Sequence, residues 1–172
     1  MTLRKTALLA TMAVLGTAQS APDKPGEQYF SFGADAPDRI EQFATAKILM
    51  TAGASGGRFT LLDEIWKPGF YAPPHYHKRH AELFYIVSGE VEWTIAGTTK
   101  TMRKGDLVLI PPNTVHSVHA KGPGDLHMIM VQNPGGYEDR YAVEAKYTAE
   151  QLKRPEVQAE IAKAGDFNLA LK

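Results

Sequence analysis

The chain carries the run Pro74-His75-Tyr76-His77-Lys78-Arg79-His80-Ala81-Glu82 near its middle, and His116 follows further along. Because one residue separates His75 from His77, both side chains leave an extended strand by the same face. Glu82 opens the apolar run 83–87, which predicts the next strand. Three imidazoles and one carboxylate suit a borderline divalent ion such as Fe, Mn, Ni, Cu or Zn, with positions left open for water or substrate. The stretch therefore predicts a metal centre built on β-strands.

Other interpretations of these side chains stay open. The histidines could be ordinary strand residues of a barrel that holds no metal, and Glu82 could be a base beside the ion rather than a permanent ligand. His80 lies two residues before Glu82 and could replace it. Its neighbours Lys78 and Arg79 favour a solvated turn, however, so we expect His80 to stay outside the ligand set. We expect structural or surface roles for His119 and His127, which have no matching partners.

Short apolar runs alternate with turn signals from residue 46 to residue 133. Within one run, Val91, Trp93 and Ile95 alternate with Glu92 and Thr94, as in a strand with one buried face. Strands at this spacing predict an all-β antiparallel sandwich or barrel. The predicted strands cover 47–51, 58–66, 71–77, 83–87, 91–96, 99–102, 107–110, 115–120 and 126–132.

Residues 1–20 have the pattern of a secretory signal peptide. Arg4 and Lys5 give a basic start, 6–18 is apolar, and Ala18-Gln19-Ser20 supplies the small residues of a cleavage site. The alternative is an uncleaved N-terminal helix or anchor. Cleavage after Ser20 would place the mature protein in the periplasm or outside the cell, with no further segment of membrane-spanning length.

The two ends of the mature chain differ from its middle. Residues 21–45 predict an N-terminal arm, in which 37–43 could hold one helical turn. Residues 147–164 are charged and Ala-rich, which predicts one or two short helices on the outside of the barrel, one of them starting at Pro155. The expected organisation is a signal peptide (1–20), an arm (21–45), a β-barrel (46–133) and a C-terminal helical extension (134–172).

Composition argues against a disulfide-framed protein and against a nucleic-acid-binding protein. The 172 residues contain no Cys, so no disulfide frames the fold and no thiol competes for a metal. The 19 basic and 19 acidic residues balance, and removing Arg4 and Lys5 leaves a net charge near −2. No basic stripe remains that would hold a phosphate backbone, so we expect no nucleic-acid partner.

Two motifs resemble those of the cupin superfamily. Gly69-x5-His75-x-His77-x4-Glu82-x6-Gly89 resembles the first motif at every fixed position, and Gly105-x5-Pro111-x-Asn113-x2-His116 resembles the second. Asn113 stands where the family usually has Gly, and Ala120 where it usually has Asn. Asn tolerates a positive φ better than most residues, so the turn is retained. The resemblance implies a double-stranded β-helix (jelly-roll barrel) whose metal ligands are His75, His77, Glu82 and His116.

Residues 56–62 and 134–138 resemble the small single-domain cupins related to quercetin dioxygenase. That resemblance implies an Fe, Mn, Ni or Cu centre, with Zn possible, that opens an enol or oxygenated ring with dioxygen. Glu82 would take the proton of the substrate hydroxyl. The expected substrate is a small enol, phenol or hydroxy acid. Two alternatives stay open: a non-oxidative metal lyase, isomerase or decarboxylase, and a non-catalytic periplasmic protein that binds a small anion through the ion.

The run 126–132 is apolar on both of its faces. Met128 and Met130 alternate with Ile129 and Val131. A strand that lies between two packed barrels needs this pattern, because it has no face in contact with solvent. We therefore expect a homodimer.

Overall fold

The computed structural model describes residues 38–40, 44–148 and 150–170. The predicted signal peptide and most of the predicted arm lie outside these residues, so the signal peptide stays a prediction. The strands are β1 (Asp38–Ile40), β2 (Ala44–Met50), β3 (Thr60–Trp66), β4 (Tyr71–Tyr76), β5 (Ala81–Ser88), β6 (Glu90–Ile95), β7 (Thr98–Arg103), β8 (Leu107–Ile110), β9 (His116–Ala120), β10 (Leu126–Asn133) and β11 (Asn168–Leu169). The helices are α1 (Asp139–Glu144), a 3-10 turn (Gln151–Lys153) and α2 (Pro155–Ala164).

The strands form two antiparallel sheets. Sheet A has the order β1-β2-β3-β10-β5-β8, and sheet B has the order β11-β4-β9-β6-β7. From β3 onward the chain passes repeatedly from one sheet to the other, so strands that neighbour one another in a sheet are distant in sequence. This arrangement confirms the all-β class and the predicted jelly roll.

The hydrophobic core lies between the two sheets. Alternate residues of each strand point inward, and on β5 the buried residues Phe84 and Ile86 share a face with Glu82. Full burial of a side chain of this size contributes about 1.5–3 kcal/mol. The core side chains are Leu62, Trp66, Phe84, Ile86, Val91, Trp93, Ile110, Val118, Ala120, Leu126, Met128 and Met130.

The structure departs from the sequence predictions near both ends. Residues 38–40 form β1 rather than a helical turn, because they pair with β2 in the register Asp38↔Lys47 and the sheet satisfies their backbone groups. β2 starts at Ala44, ahead of the predicted strand.

Beyond the barrel, α2 begins at Pro155, as predicted. The pattern did not predict α1, nor β11, which adds a fifth strand to sheet B beside β4. β11 brings residues 165–169 of the C-terminal extension over the strand that carries His75, so part of the extension packs against the candidate site and not only on the outside of the barrel.

The described residues contain no helix that is both long enough and apolar enough to cross a membrane.

Candidate metal centre

The four candidate ligands come from three strands that meet inside the barrel. His75 lies on β4, His77 directly follows that strand, Glu82 lies on β5, and His116 opens β9. The register of sheet B places His75 opposite His116. All four side chains are buried. Short-range alternation thus aims each residue inward, and sheet pairing brings them to one point.

One nitrogen or oxygen atom from each of the four residues lies within 4.8 Å of the others. The Nε2 atom of His77 is 3.2 Å from Oε1 of Glu82, and Nε2 of His116 is 3.2 Å from Oε2. An ion that bonds nitrogen and oxygen at about 2.0–2.2 Å holds its ligand atoms at separations of this scale. The four groups can therefore share one ion.

A tight turn ties the second motif to the strand of the first. Asn113 adopts a φ of 62°, the left-handed conformation that Asn tolerates, and its N–H donates to the carbonyl of His77 at 2.7 Å. Asn in place of the family's usual Gly therefore preserves the turn. The turn directs the chain into β9, where His116 faces the same interior.

Gln132 completes the surroundings of Glu82. It lies opposite Glu82 in the β5–β10 register, is fully buried, and donates from Nε2 to Oε1 of Glu82 at 3.0 Å. The sequence prediction missed this residue. The available signal was a polar side chain on the face of β10 that otherwise carries Met128 and Met130, because a buried amide requires a polar partner.

Burial and mutual contacts shift the pKa values of three of the four candidate ligands. Burial favours the neutral form of Glu82, but the facing imidazoles of His116 and His77 outweigh it and lower the pKa of this carboxyl well below its ordinary range. Burial likewise opposes a charge on His77, but the Glu82 carboxylate outweighs it and raises the pKa of His77 above 6.5. Burial and the nearby His116 lower the pKa of His75 to about 4. The site therefore favours an ionised Glu82 and shifts the pKa values of His77 and His75 in opposite directions.

His80 lies outside the four-residue group, as expected, but the reason given for it was wrong. Its side chain is buried rather than solvated, and Nδ1 is 2.6 Å from the carbonyl of Pro134. Burial arises because residues of the C-terminal extension cover this turn. Of the other two histidines, His127 is half-buried and contacts Asp63 at 2.5 Å, while His119 packs edge-on against Tyr71.

A narrow cavity of about 80 Å³ leads to the four side chains. Its walls are mainly aromatic, with contributions from both sheets. Glu64, Tyr137 and Arg140 add polar atoms, and Phe167 closes one side. The remaining aromatic lining residues are Trp66, Phe70, Phe84 and Trp93.

The donor set fits a divalent metal. The buried Nε2 atom of His77 has no partner with hydrogen-bond geometry among the residues that the structure describes. A ring nitrogen that faces a carboxylate and two further imidazoles in this way is what a metal ligand presents to its ion. Imidazole and carboxylate together suit Fe, Mn, Ni, Cu or Zn, and this set does not select among them.

Comparison with known proteins indicates the same family that the two sequence motifs resemble. Residues 63–132 match the family model of the cupin domain. Over 108 residues the chain is 32% identical to quercetin 2,3-dioxygenase of Aspergillus japonicus. This alignment covers 55% of this chain and 29% of that protein. Over 97 residues the chain is 33% identical to germin-like protein 5-1 of Oryza sativa. This second alignment covers 51% of this chain and 40% of that protein. The chain thus spans less than half the length of these two curated relatives.

Among solved structures, KdgF from Halomonas sp. superposes with a TM-score of 0.55 at 22% identity, over 62% of this chain and 94% of that chain. At this identity the likeness concerns the fold alone. The family match, the two related sequences and the jelly roll agree with the motifs, so residues 63–132 form a cupin domain.

Proposed function

We propose that the protein is a metal-dependent oxidoreductase of the dioxygenase type that acts on a small enol, phenol or hydroxy acid. The observation that carries this proposal is the convergence of three histidines and Glu82, all buried, at the end of a narrow aromatic cavity. The similarity to quercetin 2,3-dioxygenase over about half of the chain supports the reaction class.

His75, His77, His116 and Glu82 would hold the ion. When bound, a redox-active divalent metal supplies a site for dioxygen and for an ionised substrate oxygen. The chain itself contributes the orientation of the ligands and the proton acceptor. Glu82 is ionised, and its Oε1 atom, which Gln132 holds in place, can accept the proton of a substrate hydroxyl. The aromatic walls exclude water from the reacting groups.

The cavity volume favours a small substrate. About 80 Å³ is far below the roughly 300–1,000 Å³ of pockets that enclose drug-sized ligands. A molecule with one ring or a short carbon chain fits this scale better than a three-ring flavonol. We therefore propose the reaction class of the quercetin dioxygenases but a substrate smaller than a three-ring flavonol.

A second candidate is a non-oxidative metal lyase, isomerase or decarboxylase. The guanidinium of Arg140 lines the cavity, where it donates to Tyr137 and Glu144. A planar guanidinium is well suited to a carboxylate, so this residue favours a small carboxylate or hydroxy acid as substrate.

Elemental analysis combined with turnover assays tests the proposal. Purified protein is analysed for metal and then incubated with small enols, phenols and hydroxy acids in an oxygen electrode. Bound Fe, Mn, Ni or Cu with oxygen uptake that Glu82→Gln abolishes is the expected result. Zinc with turnover but no oxygen uptake would support the lyase. A ligand-induced rise in melting temperature without turnover would indicate a binding protein, and protein that retains no metal overturns the proposal.

A further inference from the structure

Each of the three metal-facing imidazoles directs its second nitrogen at a backbone carbonyl. The Nδ1 atom of His75 is 2.7 Å from the carbonyl of Pro73, and that of His116 is 2.9 Å from the carbonyl of Thr114. Because a carbonyl only accepts, Nδ1 carries the hydrogen in both rings and Nε2 offers its lone pair to the metal. In these two cases the acceptor lies two residues upstream, so the local chain orients the ring.

His77 has no such local acceptor. Its Nδ1 atom donates instead to the carbonyl of Asp166 at 2.9 Å, a residue 89 positions further along the chain. The orientation and the tautomer of this ring therefore depend on where residues 165–169, here named the C-terminal segment, come to lie.

Several hydrogen bonds hold the C-terminal segment over the ligands. Asp166 has a φ of 53°, and its carboxylate accepts the Arg79 N–H at 2.7 Å. The side-chain amide of Asn168 donates to the Asp166 carbonyl at 2.9 Å and to the Tyr76 carbonyl at 3.2 Å. The antiparallel pairing of β11 with β4 also joins this segment to the strand that carries His75. The carbonyl that faces His77 is thus fixed from both sides.

The same segment also contacts a second ligand. The ring of Phe167 stacks on His75, with centroids 4.0 Å apart and an angle of 19° between the planes. Phe167 also forms part of the cavity wall. A stacked ring restricts rotation of His75 about its side-chain bonds, as the carbonyl of Asp166 restricts rotation of His77.

We propose that the C-terminal segment is a positioning element of the metal centre: Asp166 and Phe167 hold His77 and His75 in the orientations that bind the ion. The inference rests on the proposed metal-binding function and adds residues that touch the ligands without binding metal. Groups that orient metal-bound histidines typically change metal affinity by about 10–100-fold when they are removed.

Asp166 offers a matched pair of variants. Asp166→Ala removes the acceptor for Arg79 and places at φ 53° a residue that disfavours this conformation, so the carbonyl turns away from His77. Asp166→Asn keeps an acceptor oxygen and tolerates a positive φ. We expect Asp166→Ala to weaken Co²⁺ binding about 10–100-fold and Asp166→Asn to weaken it less than about threefold.

Phe167 has a matched control on the strand that carries His75. Phe167→Ala removes the ring that stacks on His75, whereas Tyr71→Ala removes an exposed ring of β4 that packs edge-on against His119. We expect the first change to weaken Co²⁺ binding and to alter the visible absorption bands of the bound Co²⁺. We expect the second to leave both unchanged.

The experiment measures Co²⁺ affinity by competition with a chelator, the Co²⁺ absorption spectrum, and thermal unfolding of each metal-free variant. Folded Asp166→Ala and Phe167→Ala proteins with wild-type affinity and spectrum would overturn this inference alone. If Asp166→Ala does not fold, the comparison of Phe167→Ala with Tyr71→Ala decides the question. A wild-type protein that binds no Co²⁺ would instead overturn the proposed function.

Discussion

At the scale of single residues, the buried Glu82 carboxylate is surrounded by polar groups that offset the cost of burying its charge. The Glu82 carboxylate lies between two imidazoles and also accepts from Gln132. A buried carboxylate without such partners would cost several kcal/mol. A metal ion that bound here would enter a cluster of polar groups rather than an empty apolar space.

The ligand assignment predicts the behaviour of His77→Ala. Loss of one of four ligand atoms should remove most of the bound metal while the barrel stays folded, because the core lies between the sheets and does not depend on this ring. Elemental analysis and circular dichroism measure the two effects. The matched change is His119→Ala on β9, outside the four-residue group, which should retain its metal. Stoichiometric metal in His77→Ala would show that the assignment is wrong.

The pKa shifts predict how pH affects the stability of the metal-free protein. The pKa of His75 is lowered from 6.5 to about 4, so between these values the unfolded chain binds a proton that the folded protein does not. Stability should therefore fall as the pH is lowered from 6.5, by about 1.5 kcal/mol at pH 5. The raised pKa of His77 acts in the opposite direction. Its contribution is complete below 6.5 and is lost as the pH rises through the folded value.

These two residues together place a maximum of stability near pH 6.5. Urea unfolding in the presence of a chelator, at pH values from 5 to 8, measures it. His75→Gln should flatten the acidic side of the profile, and His119→Gln should not. An acidic slope that persists unchanged in His75→Gln would show that other groups are responsible.

At the scale of elements, the turns at the two ends of β6 show how a turn is constrained by its surroundings. Gly89 precedes β6 with a φ of 90°, and Gly97 follows it with a φ of 81°. Both conformations disfavour a side chain. Only at Gly89 would an added Cβ meet backbone atoms, at 2.8 Å from the carbonyl oxygen of Asp125 and from Cα of Leu126.

This difference predicts unequal effects of two identical substitutions. Gly97→Ala should cost about 1–2 kcal/mol of unfolding free energy, which is the strain of the positive φ alone. Gly89→Ala should cost about 1–3 kcal/mol more, because the start of β10 must move aside. Chemical denaturation of both variants measures the difference. Equal losses would mean that the approach of the two backbones at Gly89 does not limit stability.

At the scale of the whole molecule, the outer face of sheet A carries a continuous apolar surface. Leu107 and Leu109 of β8 are more than half exposed, and the register pairs them with Tyr85 and Leu83 of β5. The apolar surface continues through the half-buried outward residues of β10. We propose that a second copy of the chain packs here, since exposed apolar patches of this kind mark interaction surfaces.

The proposed dimer predicts the effect of a single charge. Leu109→Lys should convert a dimer into a monomer at micromolar concentration, because a buried ammonium in the apolar interface has no partner. Light scattering measures the mass. Val115→Lys changes an exposed apolar residue in the loop before β9 and should leave the dimer intact. A monodisperse wild-type monomer at micromolar concentration would count against the proposal.

The residue pattern alone predicted the strands from β2 to β10, the fold class and the four residues that the structure brings together. Period-two alternation aims side chains inward wherever a strand forms, and turn residues such as Asn113 mark where strands end. These signals act over a few residues, so they can be recognised in the sequence before the fold is known. Tertiary structure alone decided the role of Gln132, the burial of His80 and the position of Asp166 beside His77. Those contacts join residues 50 or more positions apart, and their geometry comes from how sheets and the C-terminal extension pack, which no local pattern encodes.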